Sequence, residues 1–222
     1  MTNLTAEAKS LENVKNVVFC KTEEESQKHY DVWSEIYDND LITLGFGGHT
    51  SIIYMFSKHV EDRINTKVLD LGGGTGLVSQ FLRSQLQFKG EIDILNANMD
   101  MLYKASKKEV GYSTILRHWV GDSGDLPFRD ATYDVIVCSG AFIPNHIPAS
   151  AIKGILNVIK PGGLLLLNMR LETTGSYGEE LLNNIKQLCS EKKLELLDDD
   201  QYIHFSKSPN KFNSGCFVYR RT

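Results

Sequence analysis

The sequence predicts an α/β fold: a doubly wound, mostly parallel seven-stranded sheet with an antiparallel last strand, preceded by a helical N-terminal lid. Three observations predict it. From residue 67 onward, short apolar runs alternate with amphipathic stretches, the signature of βαβ units. Between the first run and its helix lie four glycines in five residues, Gly72, Gly73, Gly74 and Gly76. Near the C-terminus two strand patterns flank the polar loop 207–214, as an antiparallel hairpin does.

The elements follow in order. The first twenty residues are polar and only faintly periodic, a loosely held helix or a frayed arm. Thr22 and Glu25 form a capping-box pattern that starts a helix carrying Tyr30, Trp33, Ile36 and Tyr37 on one face. Asn39 and Asp40 end it, and Gly45-Phe46-Gly47-Gly48 is a flexible break. Thr50 then caps a second helix through Ile52, Ile53, Met55, Phe56 and Val60. Strands are expected over 67–71, 91–96, 114–120, 133–139 and 164–169. The 133–139 run contains Val135-Ile136-Val137-Cys138, continuously apolar as a central strand is. Helices are expected over 75–85, 100–108, 147–159 and 177–193, the first of them capped by Thr75. Lys160-Pro161-Gly162-Gly163 reads as a helix stop and turn. The last strands fall near 194–206 and 216–220. The organisation is a lid over residues 1–62 and a core over 63–222, compact as one domain.

Composition narrows the function. Net charge is -4 with 24 basic and 28 acidic residues, so no basic face for nucleic acid is expected. The four cysteines are scattered with no metal-ligand spacing, which suits free thiols and a reducing, cytoplasmic setting. No apolar run is long enough to span a bilayer, and the N-terminus lacks a signal-peptide pattern. No metal site and no membrane partner are expected.

The glycine turn then has to be assigned a ligand. A dinucleotide turn carries G-x-G-x-x-G, yet Leu77 stands where the third glycine belongs. A phosphate loop ends Gly-Lys-Ser/Thr, and that lysine is absent. A glycine turn preceded by Asp70, without phosphate partners, suits a ligand that is partly cationic.

Val68-Leu69-Asp70-Leu71-Gly72-Gly73-Gly74-Thr75-Gly76 resembles the first motif of class I S-adenosylmethionine-dependent methyltransferases. Asp100-Met101-Leu102, Gly121-Asp122-Ser123-Gly124-Asp125-Leu126-Pro127-Phe128, Tyr133-Asp134-Val135-Ile136-Val137 and Lys160-Pro161-Gly162-Gly163 resemble later motifs in the same order. Tyr30-Asp31-Val32-Trp33, Ile36-Tyr37-Asp38 and the segment Ser139-Gly140-Ala141-Phe142 to Asn145-His146-Ile147-Pro148 are similar to the methyltransferase-like proteins of the Williams–Beuren syndrome chromosome region. The resemblance implies a Rossmann-like fold and S-adenosyl-L-methionine as cofactor.

It also implies roles. Gly72 and Gly74 let the methionine end and ribose lie close, and Asp70 accepts from the ligand's amino group. Asn96 takes the ribose-binding place where a carboxylate is usual, while Ala97 and Met101 pack on adenine. Met101 reads equally as a core methionine. Asp122 and Ser123 meet the adenine edge, and Ser139 lines the methionine end. Trp33 and Tyr37 cover the cofactor, with Tyr30 and Asp31 near the substrate, or the three aromatics are simply a buried stripe. His146 is the candidate base and substrate contact; His49, His204 and Arg170 are further candidates. Ser-Gly-Ala-Phe follows the fourth strand in place of an Asn-Pro-Pro-Tyr motif, which argues against nucleic-acid amino methylation.

The function expected is methyl transfer to a small-molecule acceptor by a monomer or homodimer. The alternatives are a catalytically inactive S-adenosylmethionine-binding interaction protein and, against the Leu77 observation, a NAD-type oxidoreductase.

Overall fold

A computed structural model describes residues 5–170, 175–208 and 211–222. Its sheet has seven strands in the order β3-β2-β1-β4-β5-β7-β6. They are β1 Lys67–Leu71, β2 Glu91–Asn96, β3 Thr114–Arg117, β4 Tyr133–Ser139, β5 Ile159–Arg170, β6 Leu194–Ile203 and β7 Asn213–Arg221. Strands β1 to β5 pair in parallel, and β7 runs antiparallel to both β5 and β6. The doubly wound sheet with its antiparallel last strand is as the alternating pattern predicts.

The apolar runs explain the layers, because successive strand residues face opposite sides. Leu69, Leu71, Ile136, Cys138, Leu165 and Leu167 pack on one side, against α7 (Ile152–Ile155) and α8 (Ser176–Ser190). Val68, Val135, Val137, Leu166 and Val218 pack on the other. There they meet α4 (Gly48–His59) and α5 (Leu77–Leu86) through Ile52, Phe56, Val78 and Leu82. Helix α4 is thus part of the sheet's own packing. The helices left to cover the strand ends are α1 (Ala6–Val18), α2 (Glu23–Trp33) and α3 (Tyr37–Leu44).

Several local expectations are corrected. The N-terminal arm is a docked helix: Val14 and Val17 are buried with Trp33, Leu41, Leu44 and Phe205. The aromatic helix is not continuous. It stops at Trp33 and restarts at Tyr37, which leaves Ile36 47% exposed rather than on the inward face. Asp40 lies inside α3 instead of ending a helix. Thr22 does cap α2, accepting from the Glu25 N–H at 3.1 Å, but Glu25 reaches back to the Lys21 N–H. Gly47, not Thr50, is the N-cap of α4; the Thr50 hydroxyl donates to the Gly47 carbonyl. Gly76 in the left-handed region, not Thr75, caps α5.

The chain from Lys160 to Gly163 forms an irregularity within β5, between the Tyr133–Ile159 and Val135–Leu164 pairs. The segment 149–158 is 3-10 helix on both sides of the four-residue α7. Among the described residues no helix is long and apolar enough to cross a membrane. Nor do three or more His, Cys, Asp or Glu side chains cluster as a metal site there.

Candidate cofactor and acceptor site

The site follows from topology. Strands β1 and β4 are neighbours although β2 and β3 come between them in the chain. Their connections therefore leave in opposite directions and open a crevice at the carboxyl ends, where ligands bind in such sheets. Asp70 on β1, Asn96 at the end of β2 and Ser139 at the end of β4 converge there.

A cavity of about 630 Å³ occupies the crevice. Gly72, Gly74, Asn96, Ala97, Met101, Ser139 and His146 line it, together with Tyr30 and Tyr37 from the helical cover. The glycines are needed for their geometry. Gly72 has φ +66°, and a Cβ there would come within 2.5 Å of the Ala141 methyl. Gly74 has φ +55° and nothing within 4 Å of a Cβ position, so a side chain would stand in open space at the cleft. This is a backbone surface shaped for close approach of a ligand.

Asp70 is fully buried. Its Oδ2 accepts from the Ser79 hydroxyl at 2.5 Å, while Oδ1 has no partner. Burial pushes its pKa up to about 6, partly offset by the Ser79 hydrogen bonds. A buried carboxylate oxygen without a donor is costly. The ammonium of a methionine moiety would supply the missing donor and charge, so these residues fit S-adenosylmethionine.

Asn96 keeps one job already. Its Oδ1 accepts from the Gly74 N–H at 3.3 Å, tying β2 to the glycine turn. Met101 is 1% exposed and also lines the cavity, so it is at once a core residue and a wall residue.

Four predicted site residues are placed elsewhere. Trp33 faces a second cavity, and its indole N–H donates to Asp40 Oδ2 at 2.7 Å. Asp31 is exposed and lines neither cavity; its carboxylate accepts from the Asn98 amide at 2.7 Å, tying α2 to α6 (Met99–Ser106). Asp122 and Ser123 are exposed on the turn after Val120 and outside the lining. Asp122 accepts there from the Ser150 hydroxyl at 3.3 Å. The wall after β3 is made instead by His118, Trp119 and Val120.

The second cavity, about 640 Å³, shares Tyr30, Tyr37, Ser139 and Gly140 with the first. The rest of its wall is mostly apolar, including Val17, Leu41, Phe46, Phe142, Met169 and Phe205. His204 and Arg170 contribute polar groups. Burial lowers the His204 imidazole to about 3, and its Nδ1 pairs with the Ser214 hydroxyl at 2.8 Å. His204 is therefore a neutral wall residue at physiological pH. His146 is held by three contacts. Nδ1 meets the Pro144 carbonyl at 2.9 Å, and Nε2 lies 3.0 Å from the Tyr30 hydroxyl and 3.4 Å from Ser26 Oγ. A carbonyl can only accept, so the ring carries its proton on Nδ1 and Nε2 accepts. Burial lowers its pKa, which keeps it neutral.

Three residues that hold the site together escape sequence reasoning. Asn168 donates to the Ser139 hydroxyl and the Gly48 carbonyl, both at 2.9 Å, and accepts from the Gly140 N–H at 2.8 Å. The only signal is a polar residue ending the Leu164–Leu167 run. Asp38 accepts from Thr75 Oγ1 at 2.5 Å and from Lys108 Nζ at 2.7 Å, which fixes α3 over the glycine turn. Asp40 accepts from Ser10, Asn13 and Trp33, one donor each from α1, α1 and α2.

A family model described as a methyltransferase domain matches residues 68–163, from the start of β1 into β5. A ubiquinone/menaquinone biosynthesis C-methyltransferase of Laribacter hongkongensis is 30% identical over 184 residues, covering 82% of this chain and 72% of that one. The chain belongs to the S-adenosylmethionine-dependent methyltransferases. Human methyltransferase-like protein 27 is 29% identical over 69% of this methyltransferase and 61% of its own length. A solved S-adenosylmethionine-dependent methyltransferase of Aquifex aeolicus superposes with a TM-score of 0.57 at 16% identity. It covers 86% of this chain and 97% of that one and shares the fold. Leu77, 7% exposed in the first turn of α5, fills the place a dinucleotide turn leaves to glycine.

Proposed function

We propose that this methyltransferase moves a methyl group from S-adenosylmethionine in the first cavity to a small apolar, ring-bearing acceptor in the second. The observation that carries the reading is the common wall: Tyr30, Tyr37, Ser139 and Gly140 line both cavities. The cofactor supplies an electrophilic methyl on a sulfonium. The protein's part is aim and exclusion of water. Asp70 and the glycine turn anchor the methionine end, Asn96 the ribose, and Ala97 and Met101 the adenine. Helices α1 to α3 close the acceptor cavity with Val14, Val17, Trp33 and Leu41.

An apolar wall suits a ring, and the relatives named as ubiquinone/menaquinone biosynthesis C-methyltransferases favour the same class of acceptor. Where that acceptor must lose a proton, Tyr30 lines its cavity with a proton acceptor behind it, His146 Nε2 at 3.0 Å. His146 thus acts through Tyr30 rather than on the acceptor directly. The narrower kinship with the methyltransferase-like proteins of the Williams–Beuren region rests on the motifs at 30–33, 36–38 and after β4 alone. A cytoplasmic setting belongs to the same reading, supported by four cysteines that are all free.

Labelled S-adenosylmethionine incubated with a panel of phenols and reduced quinones tests it. Label on a ring product is expected; bound cofactor with no transfer across the panel favours a non-catalytic binding protein. A second prediction concerns the ribose. Asn96 offers one uncharged acceptor, already shared with Gly74, so Asn96→Asp should tighten S-adenosylmethionine binding by about 1–2 kcal/mol. Titration calorimetry reads this directly, and unchanged or weaker binding removes Asn96 from the ribose.

A further inference from the structure

A third, smaller cavity of about 270 Å³ lies behind the glycine turn, lined among others by Tyr37, His49, Asp70, Thr75 and Ser139. Asp70, proposed above to hold the ammonium, assigns the amino-acid end of the cofactor to this cavity. That end carries two charges, an ammonium and a carboxylate. Asp70 accounts for the first and repels the second.

Most of the donors at the glycine turn are already engaged. The Gly72 and Gly73 N–H groups both donate to the Leu95 carbonyl, at 2.8 and 3.2 Å. The Gly74 N–H donates to Asn96 Oδ1, and the Gly76 N–H to the Gly73 carbonyl at 2.8 Å. The Thr75 hydroxyl donates to Asp38. Lys108, the neighbouring cation, is held by Asp38 and by the Thr75 carbonyl, each at 2.7 Å. His49 is different. It stands in the first turn of α4, 9% exposed, and its ring meets Phe46 and Phe81 edge-on. Among the described residues nothing hydrogen-bonds to that ring.

We propose that His49 binds the carboxylate of the cofactor's methionine end, as an imidazolium formed when the cofactor enters. In the free protein burial lowers the imidazole to about 4, so it is neutral at physiological pH. The charged groups around it oppose one another: Asp38 on α3 raises its affinity for a proton, and Lys108, following α6, lowers it. Asp70 on β1 also lines the cavity, and Tyr37 on α3 stays a neutral phenol because burial raises its pKa. On the α5 side Phe81 is apolar. An incoming carboxylate stabilises the charged ring, while the ammonium neutralises Asp70. The open N–H groups of α5's first turn add partial positive charge to the same spot. Binding of the amino-acid end therefore takes up a proton.

This rests on the cofactor's identity and not on the acceptor, so it stands or falls separately from the proposed reaction. The test is calorimetry at about pH 7.5, where Asp70 is already ionised, in buffers of different ionisation heat. S-adenosylhomocysteine carries the amino-acid end and methylthioadenosine lacks it. With the wild-type protein, proton uptake is expected for the first ligand and none for the second. His49→Gln should lower S-adenosylhomocysteine affinity about tenfold and abolish the uptake, with methylthioadenosine binding unchanged as the control for an intact site. Uptake that persists in His49→Gln, or homocysteine-ligand affinity equal to wild type, overturns the proposal. If the variant fails to bind methylthioadenosine, the wild-type measurement decides alone: no difference in proton uptake between the two ligands overturns it.

Discussion

Asp70→Asn is expected to make the free protein more stable above pH 6 and to weaken S-adenosylmethionine binding by about two orders of magnitude. Both effects come from one buried carboxylate. In the fold its pKa is raised from 3.8 to about 6, with burial the main cause. A raised carboxyl pKa means the fold disfavours the charged form. That residue's contribution is complete below about pH 4, its unfolded value, and is lost as pH rises through 6. Two pKa units amount to roughly 3 kcal/mol. Asparagine keeps the acceptor for Ser79 and has no charge to desolvate. The variant should therefore melt several degrees higher than wild type at pH 8, on the order of 2–4 °C per kcal/mol for a chain this size. At pH 4 the two should melt together. In the proposed contact the cofactor's ammonium neutralises the charged carboxylate, so without it affinity should fall by about the same 3 kcal/mol. Equal melting at pH 8, or undiminished cofactor binding, removes Asp70 from the amino-group contact.

Asp40→Ala is expected to release the helical cover while sparing the cofactor cavity. Asp40 accepts at 2.8 Å from Ser10, 2.7 Å from Asn13 and 2.7 Å from Trp33, and is 9% exposed. Hydrogen bonds to a charged group contribute about 1.5–3 kcal/mol each. They share one acceptor and act as a unit, so their losses do not add. A loss of about 3 kcal/mol is the expected scale, borne mainly by α1. Trypsin should then cut at Lys15 and Lys21 in the variant faster than in wild type, and methyl transfer should fall further than S-adenosylmethionine affinity. The two tryptophans separate the effects: Trp33 faces the acceptor cavity and Trp119 the cofactor cavity. Unchanged proteolysis, with transfer and binding altered equally, contradicts this role for the cover.

These two residues mark how far the sequence could be read. Asp70 was legible because it ends a buried strand before a glycine turn, and a continuous apolar run leaves little choice of register. The same physics put β1, β2 and β4 at 67–71, 91–96 and 133–139, the bounds found in the structure. Asp40 reads locally as a helix stop, since nothing nearby in sequence shows that three donors from two other helices converge on it. Asn168 is hidden for the same reason. The break between α2 and α3 was missed because Trp33 and Tyr37 keep helical spacing across it while Ile36 turns outward. Asp122 and Ser123 had the right motif, but the chain after Val120 carries them to the surface. Local periodicity reveals what a strand buries; it does not reveal which distant polar groups meet.

On the proposed reading, cofactor and acceptor occupy two cavities that share one wall. Val18 lines the acceptor cavity only, at the end of α1 and partly buried. Val18→Trp should fill that cavity without touching the cofactor's. The measurement is S-adenosylmethionine affinity by calorimetry beside transfer of its labelled methyl, in the variant and in wild type. Unchanged affinity with transfer lost is expected. Transfer at the wild-type rate, or affinity and transfer falling together, would contradict it.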